Sequence, residues 1–255
     1  MSVAGIVCEF NPLHSGHAYL MAQLRQKGAE AIVCAMSGNF VQRGEPALVH
    51  KLARAEMAVD CGADLVLELP TPWAMATAET FAMGGVQLLH MAGCSHIAFG
   101  SECGDAALLQ KTADILLLPQ FQADILAELA SGVTYAAARQ RAAERYQSHS
   151  AAVLSRPNDT LAVEYLKACR RLGVDMTPMV VRRIGAGHDG AAADGYAAAS
   201  HLRTLLRQDE KTAYGYMPPQ AAAVMRREMA AGRVADVRCV ERAILARLRQ
   251  MSEDD

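Results

Sequence analysis

The sequence predicts an α/β fold: a parallel sheet with helices on both faces, followed by a short helical C-terminal segment. Two observations carry that expectation. Short apolar runs alternate with helical patterns along the first half, which calls for βαβ units with right-handed crossovers. The runs are also apolar almost throughout, as in AIVCAM (31–36) and ADLVLEL (63–69). That suits a sheet buried on both faces.

Val3 to Phe10 is the first strand, and a helical pattern follows from Gly16 to Lys27. Ala31 to Met36 is the second strand, closed by Ser37-Gly38-Asn39. Ala47 to Cys61 reads as a helix, with Gly62 suited to its C-terminal cap. Ala63 to Leu69 is the third strand, stopped by Pro70. A helix then runs from Trp73 to Met91, and His96 to Phe99 is a fourth strand ended by Gly100. Helical patterns follow near 105–117, 120–131, 134–147 and 158–172, and Met179 to Ile184 is a fifth strand. The remainder is mostly helical, apart from the Ala-rich stretch 191–199, which reads as a mobile loop.

Composition bounds the class. The 255 residues are 52% hydrophobic and 20% charged, which is ordinary for a globular chain and argues against disorder. Aromatic residues are only 5%, so aliphatic side chains and Met must fill the core. No run reaches the roughly 18 apolar residues of a membrane span. The start, Met1-Ser2-Val3-Ala4-Gly5, lacks the positive charge of a signal peptide. A cytoplasmic location without a membrane partner is therefore expected. The 7 Cys, at 8, 34, 61, 94, 103, 169 and 239, form no CxxC pair and no zinc spacing, so neither a disulfide framework nor a bound metal is expected. Net charge is −2, yet residues 1–135 hold 6 basic and 13 acidic side chains, and 136–255 hold 19 and 14. Within 136–183 the balance is 9 to 4. That tract is either a set of solvated helix faces or a patch for a polyanion.

Polar loops gather at the strand ends. Strand one runs into Asn11-Pro12-Leu13-His14-Ser15-Gly16-His17 and strand two into Ser37 through Glu45. Strand four runs into Gly100-Ser101-Glu102, and strand five into Gly185-Ala186-Gly187-His188-Asp189. Open α/β sheets bind ligands at the carboxyl ends of their strands. In HSGH (14–17) two imidazoles flank a glycine at a helix start, where free N–H groups and the dipole attract anions. Both could donate to phosphate oxygens as pyrophosphate leaves. A metal pair lacks a third ligand at sensible spacing, and a structural pair is the other alternative. Residues 185–190 are a literal GxGxxG without the strand-helix context of a dinucleotide site, and read better as a flexible wall beside Arg182 and Arg183. Asn158, after Pro157, either caps a helix or meets a ligand. Arg183 is a surface charge or a triphosphate clamp. Ser200 is a candidate cap, with Arg203 over the same first turn. No GxSxG and no Walker A motif occurs.

HxGH resembles the signature of the HIGH-type nucleotidyltransferase superfamily. Five blocks, EFNPLHSGH (9–17), MSGNFVQRGEPA (36–47), ADLVLELP (63–70), FGSE (99–102) and RIGAGH (183–188), resemble more closely the bacterial tRNA(Met) cytidine acetate ligase family, in its order. The resemblance implies a Rossmann-like catalytic domain over 1–205. Residues 206–255 would be a helical segment, the start of a truncated C-terminal domain, since family members continue into a basic helical region. It implies that ATP activates acetate as acetyl-adenylate, releasing pyrophosphate, and that the acetyl group passes to N4 of the wobble cytidine of elongator tRNA(Met). Mg²⁺ would arrive with ATP rather than in a protein cage.

Carried over by position, the ATP segment comprises Ile6, Val7, Cys8, Glu9, Phe10, Asn11, Pro12, Leu13, His14, Ser15, Gly16, His17, Ala18 and Tyr19. His14 and His17 would act on the phosphates. Gly100, Asn158, Arg183, Ser200 and Arg203 match other nucleotide-binding positions, although Ala198 stands where the family more often has a small hydroxyl residue. Ser37, Asn39, Gln42, Arg43 and Glu102 are substrate-side candidates. The basic tract 136–183 would contact tRNA phosphates. Fold alone does not set function. An adenylyltransferase for another small substrate would turn over ATP without regard to acetate or tRNA. A nucleotide- or RNA-binding protein without turnover would bind ATP and release no pyrophosphate.

Overall fold

The computed structural model describes residues 1–42, 44–184 and 195–252. Strands β1 (Val3–Cys8), β2 (Ala31–Ser37), β3 (Leu65–Leu69), β4 (His96–Ser101) and β5 (Thr177–Arg182) form one sheet in the order β3-β2-β1-β4-β5. All neighbours are parallel. The winding reverses between β1 and β4, so the switch point, where such sheets open a crevice, lies between those strands.

In chain order the helices are α1 (Ser15–Gln26), α2 (Lys51–Asp60), α3 (Thr71–Ala74), α4 (Ala78–Met91), α5 (Ala106–Leu116), α6 (Phe121–Leu129) and α7 (Tyr135–Tyr146). They continue with α8 (Ser150–Leu154), α9 (Pro157–Leu172), α10 (Ala199–Gln208), α11 (Glu210–Tyr214), α12 (Pro219–Ala230) and α13 (Glu241–Gln250). Strand residues alternate between two cores. Val7, Val33 and Phe99 pack with Phe81 and Leu89 of α4, Leu109 of α5 and Tyr165 of α9. Ile6, Cys8 and Cys34 pack on the other face with Met21 of α1, Met57 of α2, Leu202 of α10 and Met225 of α12. A Cβ on Gly85 would lie 2.6 Å from Val7 Cγ1, so only glycine lets α4 approach β1 this closely.

Several expected boundaries shift for local reasons. The helix expected over 73–91 is two, because the chain breaks at Met75–Thr77 and Thr77 Oγ1 accepts from Thr80 N to start α4 afresh (3.4 Å). The helix expected from Ala47 begins at Lys51, where His50 Nδ1 accepts from Leu52 N (3.3 Å). β3 begins only at Leu65, while Gly62, just past the α2 cap, has φ +115° as the sequence suggested. β4 does not stop at Gly100: Gly100 and Ser101 pair with Val181 and Arg182. β5 correspondingly starts at Thr177, earlier than expected. Helix α8 has no counterpart in the sequence reading. The GxGxxG stretch and residues 191–194 of the loop expected at 191–199 lie outside the described residues.

One buried cation fastens the ends of β1 and β2. Arg54 of α2 is fully buried and donates to the carbonyls of Val49 (3.2 Å), Ser37 (3.0 Å), Glu9 and Gly38. Burial lowers its pKa to about 10, against the opposing pull of Cys8, Glu9 and Glu68. Replacing Arg54 with Met would strand these carbonyls without donors, so a loss of at least about 3 kcal/mol in urea unfolding is expected.

Candidate active site

A cleft of about 610 Å³ opens at the switch point, within the range of small-molecule sites. Its entry from β1 is conformationally demanding. Phe10, buried, takes φ +46°, a left-handed value that a bulky residue rarely adopts. A cis Asn11-Pro12 bond follows, and His14 becomes the N-cap of α1.

The two histidines form a capping box. His14 Nδ1 accepts from Gly16 N (3.1 Å), and His17 Nδ1 accepts from His14 N (3.2 Å). The rings stack with centroids 3.7 Å apart, and the edge of Phe10 meets His17 at 5.0 Å. Because both Nδ1 atoms accept, each proton sits on Nε2. Burial is the main reason both imidazoles stay neutral, helped by the Arg183 charge. His14 falls to about 3, and His17 lies well below the ordinary value, where His14 also contributes. A Cβ on Gly16 would stand 3.0 Å from His14 Cε1, so glycine protects the cap.

Around the pair, the cleft gathers cations. Arg203 reaches over from α10 and donates to Asn11 O (2.8 Å). Arg183 continues from β5; its backbone N donates to Ser101 O (2.9 Å), and its Nη1 lies 3.5 Å from Asn158 Oδ1. Gly100 leaves room for it, since a Cβ there would be 3.3 Å from Arg183 Cγ. Arg156 and Arg182 also line the cleft, against the carboxylates Glu9 and Glu45. Such a balance suits an anion.

Of the expected ATP segment, Ile6, Val7, Cys8, Glu9, Phe10, Asn11, His14, Gly16, His17 and Tyr19 line the cleft, and so do Gly100, Asn158, Arg183, Ser200 and Arg203. Pro12, Leu13, Ser15 and Ala18 do not. Leu13 is core, and Ser15 instead ties the helical C-terminal part to the site, Oγ donating to Tyr216 O (2.8 Å). Neither expected side-chain cap forms: Arg156 is the N-cap of α9 and Ala198 that of α10, which leaves Asn158 and Ser200 inside the first turns.

Among the substrate candidates, Gln42 lines the cleft and its N donates to Glu9 Oε1 (2.9 Å). Asn39 Oδ1 accepts from Lys51 N (2.9 Å), and Ser37 Oγ is buried without a partner among the described residues; neither lines the cleft. Arg43 lies outside the described residues. Glu102 serves the start of α9, accepting from Asn158 Nδ2 (2.5 Å) and Asp159 N (2.8 Å). Asp159 reciprocates, accepting from Ser101 Oγ (2.5 Å), Glu102 N (2.8 Å) and Cys103 N (3.1 Å). The sequence reading missed Asp159 and Arg54. An acidic residue in a first helical turn was the available signal for Asp159, and nothing local marked Arg54.

The basic tract resolves mostly into ion pairs. Arg139 and Lys167 meet Glu164, Arg141 and Arg145 meet Glu128, Arg156 meets Asp159, Arg170 meets Asp114 and Arg171 meets Glu79. Arg182 and Arg183 have no carboxylate partner among the described residues. There, no three His, Cys, Asp or Glu side chains converge as metal ligands, and no helix is long and apolar enough to cross a membrane.

The neutral histidines make a pH prediction. His14 titrates near 6.5 when unfolded and near 3 when folded, so the unfolded chain binds the extra proton between those values. Stability is therefore intact above pH 6.5 and falls as the pH drops toward 3, by up to about 1.4 kcal/mol per unit for a fully linked group. His14→Asn keeps a capping acceptor and removes the titration. Urea midpoints measured against pH should fall less steeply for that variant than for the wild type.

Comparison with known proteins places this geometry. The family model of the HIGH Nucleotidyl Transferase matches residues 1–255. A tRNA(Met) cytidine acetate ligase of Acetivibrio thermocellus is 39% identical over 246 residues, covering 91% of this chain and 59% of that protein. One from Syntrophotalea carbinolica is 44% identical over 217 residues, covering 82% and 52%. The crystal structure of Thermotoga maritima TmcAL bound with alpha-thio ATP superposes with a TM-score of 0.84 at 34% identity, covering 92% of this chain and 57% of that one. The chain thus spans little more than half the length of the relatives it matches. With the full-length family match, the parallel sheet and the HSGH turn at its switch point, the chain belongs to the HIGH nucleotidyltransferase family.

Proposed function

We propose that this chain binds ATP in the switch-point cleft, activates acetate as acetyl-adenylate with release of pyrophosphate, and takes part in acetylating N4 of the wobble cytidine of elongator tRNA(Met). The single observation that carries this is the stacked His14–His17 pair. Both Nδ1 atoms are spent on the backbone, which leaves two neutral Nε2–H donors at a helix N-terminus in a cleft lined by arginines. The names of the matched relatives and the alpha-thio ATP bound to one of them support the same reading.

Positioning and charge stabilisation suffice for the first step. A carboxylate oxygen of acetate attacks the α-phosphorus in line, and the bond to the bridging oxygen breaks with its electrons leaving on pyrophosphate. The imidazole N–H groups and Arg183 hold the oxygens on which charge builds. The carboxylates on the cleft among the described residues, Glu9 and Glu45, are too few to cage a metal, which fits an ion that brings phosphate and water ligands of its own. Mg²⁺ held on the phosphates would supply charge neutralisation. In the second step the cytidine amine would displace AMP from the acyl carbon. Phosphates of the tRNA would have to displace carboxylates from the exposed arginines Arg141, Arg145, Arg170 and Arg171 of α7 and α9, and exposed pairs are worth only about 0–1 kcal/mol.

Acetate-dependent exchange of labelled pyrophosphate into ATP tests the activation step. Exchange that requires acetate is expected. ATP turnover indifferent to acetate would point to another small acid. His14→Ala and His17→Ala should each lower exchange by about 10²–10³-fold, the usual cost of one such donor. Wild-type rates in either variant would remove the assignment.

A further inference from the structure

The cleft straddles the sheet edge, and its two sides differ in chemistry. On the side of α1 and α10 stand His14, His17 and Arg203. On the side of α4 and α9, beyond the polar first turn of α9 with Asn158 and Thr160, stand Ala78, Phe81, Phe99, Leu161 and Tyr165, an apolar group with one hydroxyl. Tyr165 is 5% exposed, and its ring meets Phe99 with centroids 6.0 Å apart. Its hydroxyl makes no hydrogen bond with a described residue, and the side chain lines the cleft. Burial, reinforced by Cys8 and Glu9, holds the phenol far above its ordinary pKa, so it remains a donor.

We propose that this apolar side is the acyl site. Ala78, Phe81 and Leu161 enclose the alkyl group of a short carboxylic acid, and the Tyr165 hydroxyl donates to the carboxyl oxygen that does not attack phosphorus. The assignment rests on the acid-activation reading above. In the step, the other carboxyl oxygen forms the bond to the α-phosphorus, the bond from phosphorus to the bridging oxygen breaks, and pyrophosphate takes the electron pair. Tyr165 keeps its proton throughout. The same hydroxyl then faces the acyl carbonyl oxygen, where negative charge grows when an amine adds. Selectivity for a short acid follows from the wall, since each extra methylene in such a pocket changes discrimination by about 10–200-fold.

Binding of 5′-O-sulfamoyladenosine and its N-acetyl and N-butyryl derivatives, which mimic the adenylate without turning over, tests this by calorimetry on the 255-residue chain. The acetyl compound should bind at least about 10-fold tighter than the butyryl one. Tyr165→Phe deletes only an unsatisfied hydroxyl, so the fold should survive. It should weaken the acetyl compound by about 10-fold while ATP affinity stays within about twofold. Leu161→Ala should narrow the acetyl-over-butyryl preference by about 10-fold. Unchanged acetyl affinity in Tyr165→Phe, an equal loss for ATP, or an unchanged preference in Leu161→Ala would overturn the acyl site. Wild-type chain that binds nucleotide with no sensitivity to the acyl group would overturn this proposal alone. Failure to bind ATP or any of these compounds would overturn the acid-activation reading as well.

Discussion

Both Nδ1 atoms of His14 and His17 are committed to backbone N–H groups, and much of the site follows from that commitment. A capping histidine can serve only as an acceptor at Nδ1, so its proton must sit at Nε2. Burial, with the Arg183 charge close by, keeps both rings neutral, and they stack at 3.7 Å. One arrangement thus begins α1, sets two tautomers and supplies two donors. Gly16 is required because any Cβ would press on the ring that caps it.

The strand ends around this cap are held by charges turned inward. Arg54 gathers carbonyls from the ends of β1 and β2, while Asp159 and Glu102 exchange backbone N–H groups across β4 and α9. Each is a buried or partly buried charge that would be costly alone and becomes stable through multiple hydrogen bonds. They make a rigid frame, which a site relying on positioned donors needs. Glu102 belongs to that frame rather than to the cleft.

Charge along the chain misleads in an instructive way. The basic tract 136–183 reads either as solvated helix faces or as a polyanion patch, and helix packing sets most of its side chains against Glu79, Asp114, Glu128 and Glu164. The arginines without such partners among the described residues, Arg182 and Arg183, sit where β5 delivers them to the cleft. Linear charge density counts residues, whereas a binding site depends on which cations remain available after folding.

The sequence by itself determined the succession of strands and helices, the parallel sheet and the position of the HSGH turn. Their signals are local: apolar runs, helical spacing and a motif whose hydrogen bonds close within three residues. Only the tertiary structure decided that Asp159 and Glu102 cap each other from opposite ends of a crossover, that Arg54 holds two strand ends, and that Tyr165 faces the cleft. It also decided that α3 and α4 are separate. These features depend on strand order and on which face of the sheet each helix covers. Strand order is set by the burial of whole faces, and no local pattern of residues carries it.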